Sequence, residues 1–110
     1  MNNYDATDVI AAEKIIRSQI ANENIRFTQH SHKEMVEEYI SVNQALEALW
    51  TGRILENYPD HRRGACCLVY GLTHGGRPLH IVCTTNNPTL VVITVYEPKP
   101  PKWITATKRR

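Results

Sequence analysis

The sequence predicts an α+β domain, with N-terminal helices packed on one face of a four-stranded antiparallel sheet. Three observations lead there. Apolar residues before Gly52 recur at three- and four-residue steps behind capping residues. After Gly52 come β-branched runs separated by turn residues. The helical segments precede the strands rather than alternating with them, the order of an α+β fold. At 110 residues, 42% hydrophobic and 22% charged, the chain has the size and composition of one globular domain.

Residues 5–21 place Val9, Ile10, Ala12, Ile16 and Ile20 along one helical stripe, with Asp5, Thr7 or Asp8 available as N-cap and Asn22–Asn24 as the stop. Ile25–Thr28 is a short extended lead-in. A second helix is expected from His30 or Ser31 to Tyr39, capped by Thr28 or by a Ser31/Glu34 capping box, with Met35, Val36 and Tyr39 as its apolar side. Ser41 and Gln44 repeat the capping pattern. A third helix follows from Val42 to about Trp50, burying Ala45, Leu46, Leu49 and Trp50, with Gly52 as its left-handed C′ residue.

Four strands complete the prediction. Ile54–Tyr58 is ended by Pro59-Asp60, and Arg62-Arg63-Gly64 forms a loop. Cys66–Leu72 turns at Thr73–Gly76 into Gly76–Cys83, which the loop around Asn86–Pro88 joins to Val91–Tyr96. Pro98, Pro100 and Pro101 are expected to end regular structure, leaving residues 104–110 as a basic, frayed tail. Alternation places Leu79, Ile81, Cys83, Val91, Ile93 and Val95 under the helices. A three-residue loop would set His80 opposite Thr94 with Tyr96 diagonal to it, on the opposite face.

The first residues are polar and acidic and no apolar run approaches the ~20 residues of a membrane span, so a cytoplasmic protein without membrane attachment is expected. Cys66, Cys67 and Cys83 lie within strands and show no metal-binding spacing; they read as buried reduced thiols, and no cofactor is expected. Charge is uneven: residues 1–52 carry a net −4 and residues 53–110 a net +6. A basic half points to an anionic partner, a nucleic acid or an acidic protein. His30, Glu34 and Glu38 share a helical face and could hold a metal, but glutamates on a solvated helix side explain the same letters more simply.

Phe27-Thr28-x-His30-Ser31-x-x-x-Met35, Ile40-Ser41, Gly52-Arg53-Ile54-Leu55-Glu56-Asn57-Tyr58-Pro59, Arg77-Pro78-Leu79-His80 and Ile93-Thr94-Val95-Tyr96-Glu97-Pro98 together resemble the DUF4258 family over residues 25–103. Residues 1–24 would then be a helical extension of that core. The resemblance implies an α+β fold of the RelE/barnase-like ribonuclease toxins, RNA as substrate, and a cognate antitoxin protein, often of zinc-finger type, as partner. Where the family commonly has Arg before the Met and three residues after it, this chain has Glu34 and Glu38. If those arginines bind phosphate, the local charge is reversed and a decayed or repurposed member is expected.

A metal-independent ribonuclease deprotonates a 2′-hydroxyl, protonates the leaving 5′-oxygen and neutralises the phosphate. Imidazole serves either proton transfer near neutral pH, which selects His30 and His80 as the catalytic pair with Tyr96 positioning or donating. Arg77 is the expected phosphate clamp, with Arg62, Arg63 and Lys102 as further phosphate contacts. The alternative is a non-catalytic domain that binds a protein partner through its sheet.

Overall fold

The computed structural model describes residues 6–109. Its elements are α1 (Ala6–Ala21), β1 (Ile25–Phe27), α2 (Gln29–Glu37), α3 (Val42–Thr51), β2 (Arg53–Tyr58), β3 (Cys66–Leu72), β4 (Pro78–Thr84), β5 (Leu90–Tyr96), β6 (Trp103–Thr105) and β7 (Lys108–Arg109). The class is α+β, but the sheet has five strands in the order β1-β5-β4-β3-β2 and is mixed. The lead-in Ile25–Phe27 becomes a strand parallel to β5, because Ile25 and Phe27 can then join the core while Arg26 faces water. The four strands from β2 to β5 form the expected antiparallel meander.

The helices follow their caps. Thr28 caps α2 by accepting from the Ser31 N–H at 3.1 Å, and the Ser31 hydroxyl donates back to the Thr28 carbonyl. This corrects the Ser31/Glu34 box: Ser31 is fully buried inside the helix and Glu34 is used elsewhere. The Ser41/Gln44 box on α3 forms as expected, both bonds present. Of the Asp5, Thr7 and Asp8 caps, Asp5 lies outside the described residues, and the other two fall within α1. Only Met35 of the expected α2 stripe is buried; Val36 and Tyr39 face solvent. On α3, Ala48 takes the place of Trp50, which is half exposed.

Close approach explains two glycines. Gly52 is extended (φ −74°) rather than left-handed; a Cβ there would stand 2.3 Å from Val69 Cγ1. At Gly71 a Cβ would stand 1.8 Å from the Ala48 carbonyl oxygen. Together they let α3 lie directly on β3, and the core closes between them from Met35, Leu49, Leu79, Ile81, Val92, Val95 and their neighbours. The buried thiols belong to this packing, with Cys67 and Cys83 sulfurs 4.0 Å apart across the β3–β4 pair. Their mutual hydrogen bond and burial push the Cys67 thiol far up, away from the reactive thiolate.

Both sheet edges are plugged by glutamates. Strand β1 covers only the first half of β5. Beyond it, the Val95 and Glu97 N–H groups donate to the carboxylates of Glu34 (3.0 Å) and Glu38 (3.1 Å). On the opposite edge the buried Glu13 accepts from the Ile54 N–H at 2.8 Å. A row of unpaired strand donors invites pairing with another chain, and these carboxylates occupy it. Glu34 and Glu38 are therefore part of the sheet's hydrogen bonding rather than a solvated helix side.

The β4–β5 hairpin departs from simple alternation. The register runs His80↔Tyr96, Ile81↔Val95, Val82↔Thr94 and then Cys83↔Val92, with Ile93 as the extra residue of a bulge. Past the bulge the faces exchange, so Leu90 and Val92 are fully buried while Val91 and Ile93 are only partly so. That exchange sets Leu90 and Val92 beside Ile25 and Phe27 of β1. The connecting loop spans residues 85–89, and His80 stands directly opposite Tyr96 instead of Thr94.

Residues 104–109 of the expected frayed tail take regular structure. Residues 98–109 form a strap ending in the β6–β7 hairpin, anchored by Trp103, which is 2% exposed. Pro98, Pro100 and Pro101 separate β5 from β6 and do not end regular structure.

Candidate functional site

The strap and the strands meet on the sheet face turned away from the helices. Pairing places Glu56 and Tyr58 of β2, Leu68 and Tyr70 of β3, His80 of β4 and Tyr96 of β5 on that face. A shift of register between Ile54 and Glu56 makes this possible: Ile54 points to the core, and the irregularity at Leu55 brings Glu56 to the other side.

His80 is the centre. It is fully buried and both ring nitrogens are engaged, Nδ1 with the Tyr96 hydroxyl at 3.1 Å and Nε2 with the Ala106 carbonyl at 2.5 Å. A carbonyl only accepts, so Nε2 carries the proton and Nδ1 accepts from Tyr96. Tyr70, Tyr96 and Trp103 surround the ring edge-on, with centroids 6.1, 5.3 and 4.3 Å away. Burial holds the imidazole below its ordinary pKa, opposed by the Ala106 bond, and raises the Tyr96 hydroxyl.

Beside it lies a charged cluster. Arg109 grips Glu56 with two bonds, Nε to Oε2 at 2.6 Å and a terminal nitrogen to Oε1 at 2.8 Å, and the Tyr58 hydroxyl donates to the same carboxylate. The Arg109 bond, helped by Tyr58, pulls the Glu56 pKa down to about 2 against the burial that would raise it. The guanidinium also sits 4.6 Å over the Trp103 ring. Glu56 is thus an ionised carboxylate whose charge is felt at His80. On this face an imidazole, a carboxylate and three phenols come together, a set able to move protons once something is admitted to it.

The sequence-derived residues divide. His80 and Tyr96 converge as the alternation argument expected. His30 does not join them: it is exposed on α2, its ring 3.4 Å from Glu34, and it is not among the groups around His80. Arg77 is already engaged, donating to Glu97 (2.7 Å) and to the Glu38 and Tyr39 carbonyls at the end of α2, so here it caps a helix. Arg62 and Arg63 lie exposed in the loop after Tyr58, and Lys102 lies exposed on the strap, its charge acting on His80. Sequence reasoning passed over Glu56, Tyr58, Tyr70, Trp103 and Arg109. Alternation along β3 would have found Tyr70, which pairs with His80; Glu56 and Tyr58 reach this face only through the irregularity at Leu55, and nothing local marks Trp103 or Arg109.

A cavity of about 470 Å³ lies elsewhere, between α1 and the loops after β2 and β4, lined by Asp8, Ala12, Ile15, Asn57 and Asn86 among others. None of the expected site residues lines it. No helix of the described residues is long and apolar enough to cross a membrane.

Comparison with known proteins identifies one family. Its model, a domain of unknown function (DUF4258), matches residues 27–97, well over half of the chain, and the chain belongs to that family. Neither the curated proteins nor the solved structures give a match. The matched segment contains β2 to β5 and ends at Glu97, so it includes His80, Tyr96, Glu56 and Tyr58 and leaves the strap outside.

Proposed function

We propose that this DUF4258 domain is a metal-independent endoribonuclease acting in the cytoplasm, its proton-transfer centre on the strap-side face. The observation that supports this most is the placing of an imidazole and a carboxylate held ionised on one sheet face. In the reaction Glu56 takes the proton of the 2′-hydroxyl as that oxygen attacks phosphorus. His80, in its imidazolium form, delivers the Nε2 proton to the departing 5′-oxygen and is left as the neutral ring, giving a 2′,3′-cyclic phosphate and a free 5′-hydroxyl. Tyr96 holds the imidazole through Nδ1. Arg62, Arg63 and Lys102, free of ion pairs among the described residues, supply the positive field for the phosphates. His30 and Arg77 are left out of this mechanism. The toxin role, with an antitoxin as partner, rests on the resemblance to RelE/barnase-like toxins.

The test is cleavage of a mixed RNA by purified protein, by His80→Ala and by Glu56→Gln. Loss of 10²-fold or more in each variant is expected if both transfer protons. Equal decay with all three proteins would sink the reading. Growth arrest on expression, relieved by the product of the adjacent gene, tests the toxin role.

A second reading, a protein-interaction domain, draws on a different feature. Val42, Leu46 and Trp50 follow one another at four-residue steps on α3, with Val42 and Trp50 about half exposed and Tyr39 almost wholly so. Exposed apolar side chains with a tryptophan suit a protein partner. On this reading Trp50→Ala abolishes capture of that partner, and His80→Ala does not.

A further inference from the structure

The strap sits on the candidate centre in a way that its own packing does not explain. No strap residue belongs to the main core cluster. Its hairpin pairs only with itself, and an isolated two-stranded hairpin is marginal in water. The buried Trp103 indole N–H faces the Tyr96 hydroxyl but does not reach good hydrogen-bond geometry with it, so its burial is poorly compensated. The Arg109–Glu56 pair that fastens the end is partly open to water, where such pairs contribute little.

What the strap places on the face resembles a nucleotide. Trp103 offers a flat bicyclic ring of purine size, set edge-on against His80 at 4.3 Å between centroids. Proteins seat unstacked bases of single strands among aromatic side chains, and His80, Tyr70 and Tyr96 stay on the sheet when the strap leaves. Three residues on, the Ala106 carbonyl presents an acceptor oxygen to His80 Nε2, the atom that would serve a sugar–phosphate oxygen. We propose that the strap is an internal stand-in for single-stranded RNA: Trp103 fills a nucleobase seat, Ala106 fills the oxygen position at His80, and RNA enters this face by displacing residues 98–109. Arg109 is the latch. The proposal rests on the ribonuclease reading for the identity of the ligand and adds the base seat and the mode of entry.

The experiment measures binding of a 2′-O-methyl oligoribonucleotide, which cannot be cleaved because it lacks the attacking hydroxyl. The full chain and its Arg109→Ala variant are compared by fluorescence anisotropy at one salt concentration, with hydrogen exchange of the strap amides followed alongside. Removing a cation weakens nucleic-acid binding by itself. Tighter binding by the variant, about threefold, with faster exchange over residues 103–109, is therefore the signature of a released latch. Oligonucleotide added to the unaltered chain is expected to speed exchange of the same amides. Two results overturn the proposal: a variant whose strap exchanges freely yet binds no tighter, or an oligonucleotide that binds while the strap stays protected. If the variant binds tightly but ordinary RNA survives it, the ribonuclease reading fails and the strap reading stands.

Discussion

The two faces of the sheet are covered by different physics. Under the helices, Leu79, Ile81, Cys83, Leu90, Val92 and Val95 are fully buried and the cover is fixed by shape, down to glycines where α3 touches β3. Under the strap, the buried group is a histidine with both nitrogens bonded, and the cover is held by one tryptophan, one carbonyl and one ion pair. Apolar burial is non-directional and adds up with area. Polar contacts exchange for water at small net gain. The helix face is therefore the one that makes the fold, and the strap face is the one that can open.

The sharpest way to break this contrast is at Gly71. A side chain there meets the Ala48 backbone, which cannot swing aside, so Gly71→Val should cost more than about 3 kcal/mol and leave little folded protein in urea titrations. Leu79→Ala should lose about 2–5 kcal/mol; a loss below 1 kcal/mol would mean that the helix face is not the keystone. Glu34→Ala strips the Val95 N–H of its acceptor and should cost about 1 kcal/mol, with faster amide exchange at Val95. Arg109→Ala should change global stability by less than about 1 kcal/mol, while exchange of the strap amides rises well above that of β4. Similar acceleration in both would make the strap part of one cooperative unit.

Acid offers a milder handle. Because the Glu56 pKa is depressed in the folded chain, its pairing stabilises above the unfolded carboxylate value of 4.5 and is lost as pH falls toward about 2. Strap release, read by amide exchange or by tryptophan emission in a Trp50→Phe background, should run through that window and be absent from Glu56→Gln. A strap that stays closed at pH 2 would remove Arg109 as its fastening.

The departure at positions 34 and 38 looks different in this light. Both glutamates accept from β5 N–H groups, and Arg77 ties the Glu38 and Tyr39 carbonyls to Glu97. Acidic residues there serve the sheet edge, so their charge says little about a phosphate site on the opposite face.

Much of this architecture is local and was readable as such. The Ser41/Gln44 box, the turn before Arg77, the limits of β3 and the shared face of His80 and Tyr96 each depend on neighbours in sequence or on the two-residue period of a strand. What eluded the sequence depends on partners far along the chain. A three-residue strand at Ile25–Phe27 exists because β5 accepts it. The bulge at Ile93 reverses which of four apolar side chains face inward, and alternation has no term for it. Trp103 and Arg109 look like a proline-flanked, basic end until Glu56, 53 residues before Arg109, gives the guanidinium its place. The sequence by itself determined the three helices, the four strands of the meander, the α3 capping box and the face on which His80 lies, because those follow from short-range sterics and hydrogen bonding. Only the tertiary structure decided that this face is closed, because the closure is made by contacts between segments that no local pattern relates.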